Sequence, residues 1–143
     1  MQPRFTVMIV DDDDDDRAIF CDIIHQYYPA AKCIQADNGC KALDYLHNNK
    51  QSLPNLLFLD INMPKLTGKQ SLVEIKKDVL LSKIPVVIYT TSKRPGDEAE
   101  LLELGAVAFI TKPAKSKDLE KAVTNESLTN NQSLKPKVHR VTN

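Results

Sequence analysis

The chain has 143 residues, 42% of them apolar and 27% charged, which suits one soluble domain with a buried core. Lysine plus arginine and aspartate plus glutamate number 19 each, so the net charge of zero gives no global argument for binding nucleic acid or a membrane surface. The longest apolar runs fall far short of the roughly 20 residues that cross a bilayer, and no signal peptide is expected from Met1-Gln2-Pro3-Arg4 and the strand pattern that follows.

Phe5 to Val10 read as a buried first strand. Six consecutive aspartates follow, Asp11 to Asp16. A solvated acidic tract suits this run poorly, because it is pinned between a strand and a helix. Its later members fit the N-cap and first turn of that helix, where they complement the helix dipole. Ala18, Ile19, Ile23, Ile24 and Tyr27 give the helix an apolar face, and Tyr28-Pro29 stops it. Cys21, Cys33 and Cys40 are odd in number and lack C-x-x-C spacing, so three reduced thiols in a cytoplasmic protein are expected, with no disulfide or metal framework.

Lys32 to Ala36 form a short second strand, Asp37-Asn38-Gly39 a turn, and Ala42, Leu43, Tyr45 and Leu46 mark a second helix. Leu56-Leu57-Phe58-Leu59 is a continuous apolar run ending in Asp60, with turn chemistry at Asn62, Pro64 and Gly68. Such a run reads as a strand buried on both faces. A third helix is expected over Thr67 to Leu81, with Leu72, Val73, Ile75, Val79 and Leu80 inward. Ile84 to Tyr89 form a fourth strand ending in Thr90-Thr91-Ser92, followed by a weaker helix over Pro95 to Leu104 that Gly105 closes. Val107 to Ile110 form a fifth strand ending at Thr111-Lys112-Pro113, and a last helix begins near Ser116.

Five alternations of strand and helix mean an α/β domain, and right-handed crossovers narrow it to a doubly wound parallel sheet. The domain is expected over 1–124. The stretch 125–143, poor in apolar residues, reads as a helix end or a disordered tail.

The strands deliver polar groups to one sheet edge: Asp11 and Asp12 from the first, Asp60 from the third, Thr90 from the fourth and Lys112 from the fifth. Singly, Asp60 could be a turn residue, Thr90 a strand-end hydroxyl and Lys112 a surface lysine. Their arrival together at the carboxyl ends of buried strands, where such sheets bind ligands, is the informative feature. Clustered carboxylates repel unless they share a cation, and hard oxygen ligands suit Mg²⁺. A hydroxyl and an ammonium suit the remaining oxygens of a phosphoryl group, and a carboxylate can itself be the nucleophile. The set reads as a site for in-line phosphoryl transfer onto a carboxylate.

Four stretches, V-D-D at Val10 to Asp12, L-D-I-N-M-P-K-L-T-G at Leu59 to Gly68, I-P-V-V-I-Y-T-T-S at Ile84 to Ser92 and L-G-A-V-A-F-I-T-K-P at Leu104 to Pro113, resemble the receiver domain of two-component response regulators. The resemblance covers about Phe5 to Val123. It implies a flavodoxin-like five-stranded sheet in the order 2-1-3-4-5. It implies Asp60 as phospho-acceptor, and Mg²⁺ held by Asp11, Asp12, Asp60 and the backbone carbonyl of Asn62. Thr90 would be the switch hydroxyl, Lys112 the phosphate-binding lysine and Phe109 the aromatic switch position, here without a phenolic hydroxyl. Asn62 and Ser92 match positions that modulate dephosphorylation.

The same resemblance implies a stand-alone cytoplasmic receiver in a phosphorelay. A sensor histidine kinase or phosphotransfer protein would phosphorylate it, and it would catalyse only its own phosphorylation and dephosphorylation. The downstream protein partner stays open. Neither DNA nor membrane binding is expected, and the face of the fourth helix, fifth strand and fifth helix is the expected place for a homodimer. The six-aspartate run leaves Asp13 as an alternative metal ligand. Asp11 and Asp13 also fit the spacing of a haloacid dehalogenase-type phosphatase, although the chain lacks room for a cap domain. A degenerate receiver that binds partners without phosphorylation is the third reading, and Asp60, Thr90 and Lys112 argue against it.

Overall fold

Backbone pairing carries the five apolar runs into one parallel sheet. The computed structural model describes residues 5–92, 94–132 and 139–141. The strands are β1 (Thr6–Val10), β2 (Lys32–Ala36), β3 (Leu56–Leu59), β4 (Val86–Thr90) and β5 (Ala108–Thr111). They lie in the expected order 2-1-3-4-5. Between them run α1 (Asp14–Tyr27), α2 (Gly39–Asn48), α3 (Gly68–Lys77) and α4 (Asp97–Glu103), and α5 (Ser116–Gln132) follows β5.

The sheet is covered on both faces because alternate residues of each strand point to opposite sides. Met8, Val10, Leu57, Leu59, Val86, Ile88 and Phe109 pack against Ala42 and Leu46 of α2, Leu72 and Ile75 of α3, and Leu101 of α4. Val7, Ile9, Leu56, Phe58, Val87, Tyr89 and Ile110 pack against Phe20 and Ile24 of α1 and Leu119, Ala122 and Val123 of α5. Every residue of β3 and β4 is buried, as continuous apolar runs require.

Several local expectations are corrected. α1 buries Phe20, Cys21 and Ile24 and leaves Ile19 56% exposed. Phe20 decides this rotation, since its ring sits 4.7 Å from Phe58 and 6.1 Å from Tyr89. α3 stops at Lys77 because Asp78 leaves the helix and its carboxylate accepts the amides of Leu80 and Leu81, starting a short 3-10 turn at Leu81–Lys83. Val79 and Leu80 are therefore exposed, as is Val73. α4 begins only at Asp97, after Gly96 takes the left-handed conformation at φ 88°.

Cys21 and Cys33 form a disulfide, with Cα atoms 6.0 Å apart, against the expectation of three reduced thiols. Packing of α1 beside β2 brings the two together, a proximity that spacing along the chain does not reveal. Cys40 is free and exposed. α5 runs on to Gln132, and a short strand β6 (His139–Val141) pairs in parallel with β5, extending the sheet to 2-1-3-4-5-6. The expectation of a helix end or disordered tail thus meets a longer helix and a sixth strand, while 133–138 and 142–143 lie outside the described residues.

Candidate functional site

The strand ends place the polar groups. Val10 pairs with Leu59, Leu59 with Ile88, and Thr90 with Thr111. Hydrogen bonds continue past the strands: Asp11 N–H donates to Ala36 O (3.1 Å), Asp60 N–H to Val10 O (3.0 Å) and Lys112 N–H to Thr90 O (2.8 Å). Asp11, Asp60 and Lys112 are thus held by the sheet itself. Gly68 closes the loop after Asp60, its N–H donating to Ile61 O at 2.9 Å. A Cβ at Gly68 would meet the Asp60 carbonyl oxygen at 2.3 Å, so no larger residue fits without moving the Asp60 backbone.

Asp11, Asp12 and Asp60 bring carboxylate oxygens to within 4.8 Å of one another, with Asp11 and Asp60 buried and Asp12 exposed. Three hard anionic oxygens in one concavity, one side open to water, fit the coordination chemistry of Mg²⁺. Asp13 is used differently. It is the N-cap of α1, its carboxylate accepting the Asp16 N–H at 3.0 Å, and its own N–H donates to Asp11 Oδ1 at 3.0 Å. This cap settles the helix start inside the aspartate run and takes Asp13 away from the carboxylate cluster.

Lys112 is 8% exposed and its ammonium contacts the Asp11 carboxylate directly, with Asp16 at 3.0 Å and Asp60 Oδ2 at 4.0 Å. Burial by itself would lower the Lys112 pKa, but hydrogen bonds to Asp11 and Asp16 and the nearby carboxylate charges hold it above the ordinary value. For Asp60 the balance goes the other way. Burial raises its pKa, and the hydrogen bond from Thr90 and the Lys112 charge only partly oppose this. Thr90 is fully buried, and its Oγ1 also accepts the Ser92 N–H at 3.3 Å. Phe109 is buried in the core face beneath α4. Asn62, two residues after Asp60, is exposed, and the Ser92 hydroxyl donates to Asp97 at 2.8 Å.

Three residues of this neighbourhood escaped the sequence reading. Asp16 reaches Lys112 from the first turn of α1. The Tyr89 ring lies 5.0 Å from the Lys112 ammonium, a cation–π distance. Asp97 receives Ser92 and also pairs with Lys69 of α3 at 3.1 Å. Asp16 was one aspartate among six, Tyr89 looked like core, and Asp97 lies outside every quoted motif.

Residues 7–124 match the family model for the response regulator receiver domain. The chain is 31% identical over 125 residues to response regulator Rcp1 of Synechocystis sp., covering 85% of each protein. It is similar to the crystal structure of the Mn²⁺-bound form of Rcp1, with a TM-score of 0.72 and 30% identity over 90% of this chain and 93% of that one. It is also similar to the phosphorylated cyanobacterial phytochrome response regulator RcpA, with a TM-score of 0.74 and 28% identity at the same coverage. A sheet that gathers an acidic cluster, a buried threonine and a buried lysine at one edge, together with a family match over most of its length, makes this chain a member of the response regulator receiver domain family of two-component signalling.

Proposed function

We propose that the domain accepts a phosphoryl group on Asp60 from a phosphohistidine of a sensor kinase or phosphotransfer protein, and that the modified surface then engages a downstream protein. The observation that carries this reading is the convergence on Asp60 of an acidic cluster, the Thr90 hydroxyl and the Lys112 ammonium at the ends of four strands. An Asp60 oxygen attacks phosphorus in line. The O–P bond forms as the P–N bond breaks, and the imidazole leaves with the electron pair. Asp11, Asp12, Asp60 and the Asn62 backbone carbonyl would hold Mg²⁺, whose positive charge reduces repulsion between the carboxylate and the incoming phosphoryl group.

Lys112 then moves its ammonium from Asp11 towards an oxygen of the new group, and Thr90 donates to another. The added charge reshapes the chain after β4, a local electrostatic event with a packing readout. The domain turns over no separate substrate. A cytoplasmic setting goes with this partnership, and the reducing conditions there would open the Cys21–Cys33 disulfide. The α4, β5 and α5 side of the sheet, whose edge strand is β6, is the proposed meeting place for a second copy. Incubation with acetyl phosphate and Mg²⁺ should add about 80 Da, one phosphoryl group, to the wild-type intact mass. Asp60→Asn should gain nothing, and equal labelling of that variant would refute the assignment.

A further inference from the structure

Asp97 is the first residue of α4 and is 4% exposed. One of its carboxylate oxygens accepts the Ser92 hydroxyl at 2.8 Å, and the other receives the Lys69 ammonium at 3.1 Å. Lys69 follows Gly68 directly, at the start of α3, and also pairs with Glu100 one turn further along α4. Burial pushes the Asp97 pKa up, but the Ser92 and Lys69 hydrogen bonds hold it below the ordinary value, so the carboxylate stays ionised. Lys69 also lines a 350 Å³ crevice with Asn62, Met63, Thr67 and Arg94, beside the acceptor. The two loops that flank Asp60, one after β3 and one after β4, are therefore joined through a single carboxylate.

Ser92 is held at two points. Its side chain is tied to Asp97, and its N–H donates to Thr90 Oγ1 at 3.3 Å. If Asp60 is the phospho-acceptor, Thr90 must shift its hydroxyl from the Asp60 carboxylate to an oxygen of the larger group, which carries three strong acceptor oxygens. That movement displaces the acceptor of the Ser92 N–H and pulls on Ser92, while Asp97, anchored from α3 by Lys69, holds the side chain back. We propose that Asp97 is a positioning residue which, bound to Ser92 and Lys69, holds the chain after β4 in its unphosphorylated arrangement. The clamp and the phosphoryl group then oppose each other. By linkage, weakening one favours the other by the same factor.

The test uses the full chain and beryllofluoride, which mimics a phosphoryl group on a carboxylate, at constant Mg²⁺. Wild type should bind it and Asp60→Asn should not; that arm tests the acceptor alone. Asp97→Ala should bind about fivefold tighter than wild type, because the opposing clamp is gone. Ser92→Ala should also bind tighter, and the Asp97→Ala/Ser92→Ala double variant should bind no tighter than Asp97→Ala, since the two residues act through one bond. In metal-free protein without beryllofluoride, Asp97→Ala should speed amide exchange at Ser92 and over 94–97 while leaving the strands protected. A general loss of structure would weaken beryllofluoride binding instead. Lys69→Met, which keeps the Asp97–Ser92 bond, should give a smaller gain and carries the test if Asp97→Ala does not fold. Unchanged or weaker binding by these variants, with wild type binding normally, would overturn the clamp and leave Asp60 as acceptor intact.

Discussion

The Lys112 ammonium rests on the Asp11 carboxylate, with both side chains buried, and stands 4.0 Å from Asp60. Its charge is thus committed to Asp11 and Asp16 while Asp60 is unmodified. Breaking a buried ion pair from one side leaves an uncompensated charge, at a cost of about 3 kcal/mol. Lys112→Met should lower stability by about that amount in urea unfolding without Mg²⁺. Added Mg²⁺ should stabilise the variant more than wild type, because the ion replaces the missing cation. Equal stabilisation of both would show that Lys112 does not neutralise the cluster.

Neighbouring aspartates should separate cleanly. Asp12→Ala should weaken Mg²⁺ binding by roughly tenfold or more in calorimetric titration, a direct ligand being worth at least as much as an outer-shell partner. Asp13→Ala should leave that affinity nearly unchanged and cost about 1 kcal/mol of stability through the lost N-cap. A larger effect on Mg²⁺ at Asp13 would shift the metal register by one residue.

Phosphate lifetime should respond to Ser92. Its hydroxyl is committed to Asp97, and neither it nor exposed Asn62 can act as a strong general base. Slow self-dephosphorylation is expected, with Ser92→Glu losing the acyl phosphate faster once the donor is removed at fixed Mg²⁺. A Ser92→Glu protein no faster than wild type would place control in water access through the surrounding loop.

Asp78 should make the fold sensitive to acid. The hydrogen bond from Lys50 at 2.7 Å, with the Leu81 and Leu80 amides, lowers its pKa from 3.8 to about 2. A depressed carboxylate pKa stabilises the fold above the unfolded value, and this contribution is lost as pH falls through the folded value. Melting temperatures of wild type and Asp78→Asn should therefore differ most above pH 4 and converge between about pH 4 and pH 2. A gap that persists at pH 2 would mean that the carboxylate charge is not the stabilising element.

The parallel sheet was legible in the sequence because buried strands must be apolar on both faces. Runs such as Leu56–Leu59 and Val86–Tyr89 admit few other readings once helical periodicity separates them. The site residues were legible for a related reason: a polar residue directly after such a run stands at the sheet's carboxyl edge whatever its neighbours are. Long-range packing is absent from that logic. Ile19 and Phe20 are adjacent and both apolar, and only the tilted ring contacts with Phe58 and Tyr89 turn α1 so that Phe20 goes inward. Cys21 and Cys33 meet because α1 lies beside β2. Asp11 and Lys112, 101 residues apart, join only when β1 and β5 end at the same edge. Asp97 reaches Ser92 and Lys69 because α4 starts late, after Gly96, and there faces α3. Composition and periodicity report what one segment needs from its surroundings, whereas these contacts depend on which surfaces the finished fold brings face to face.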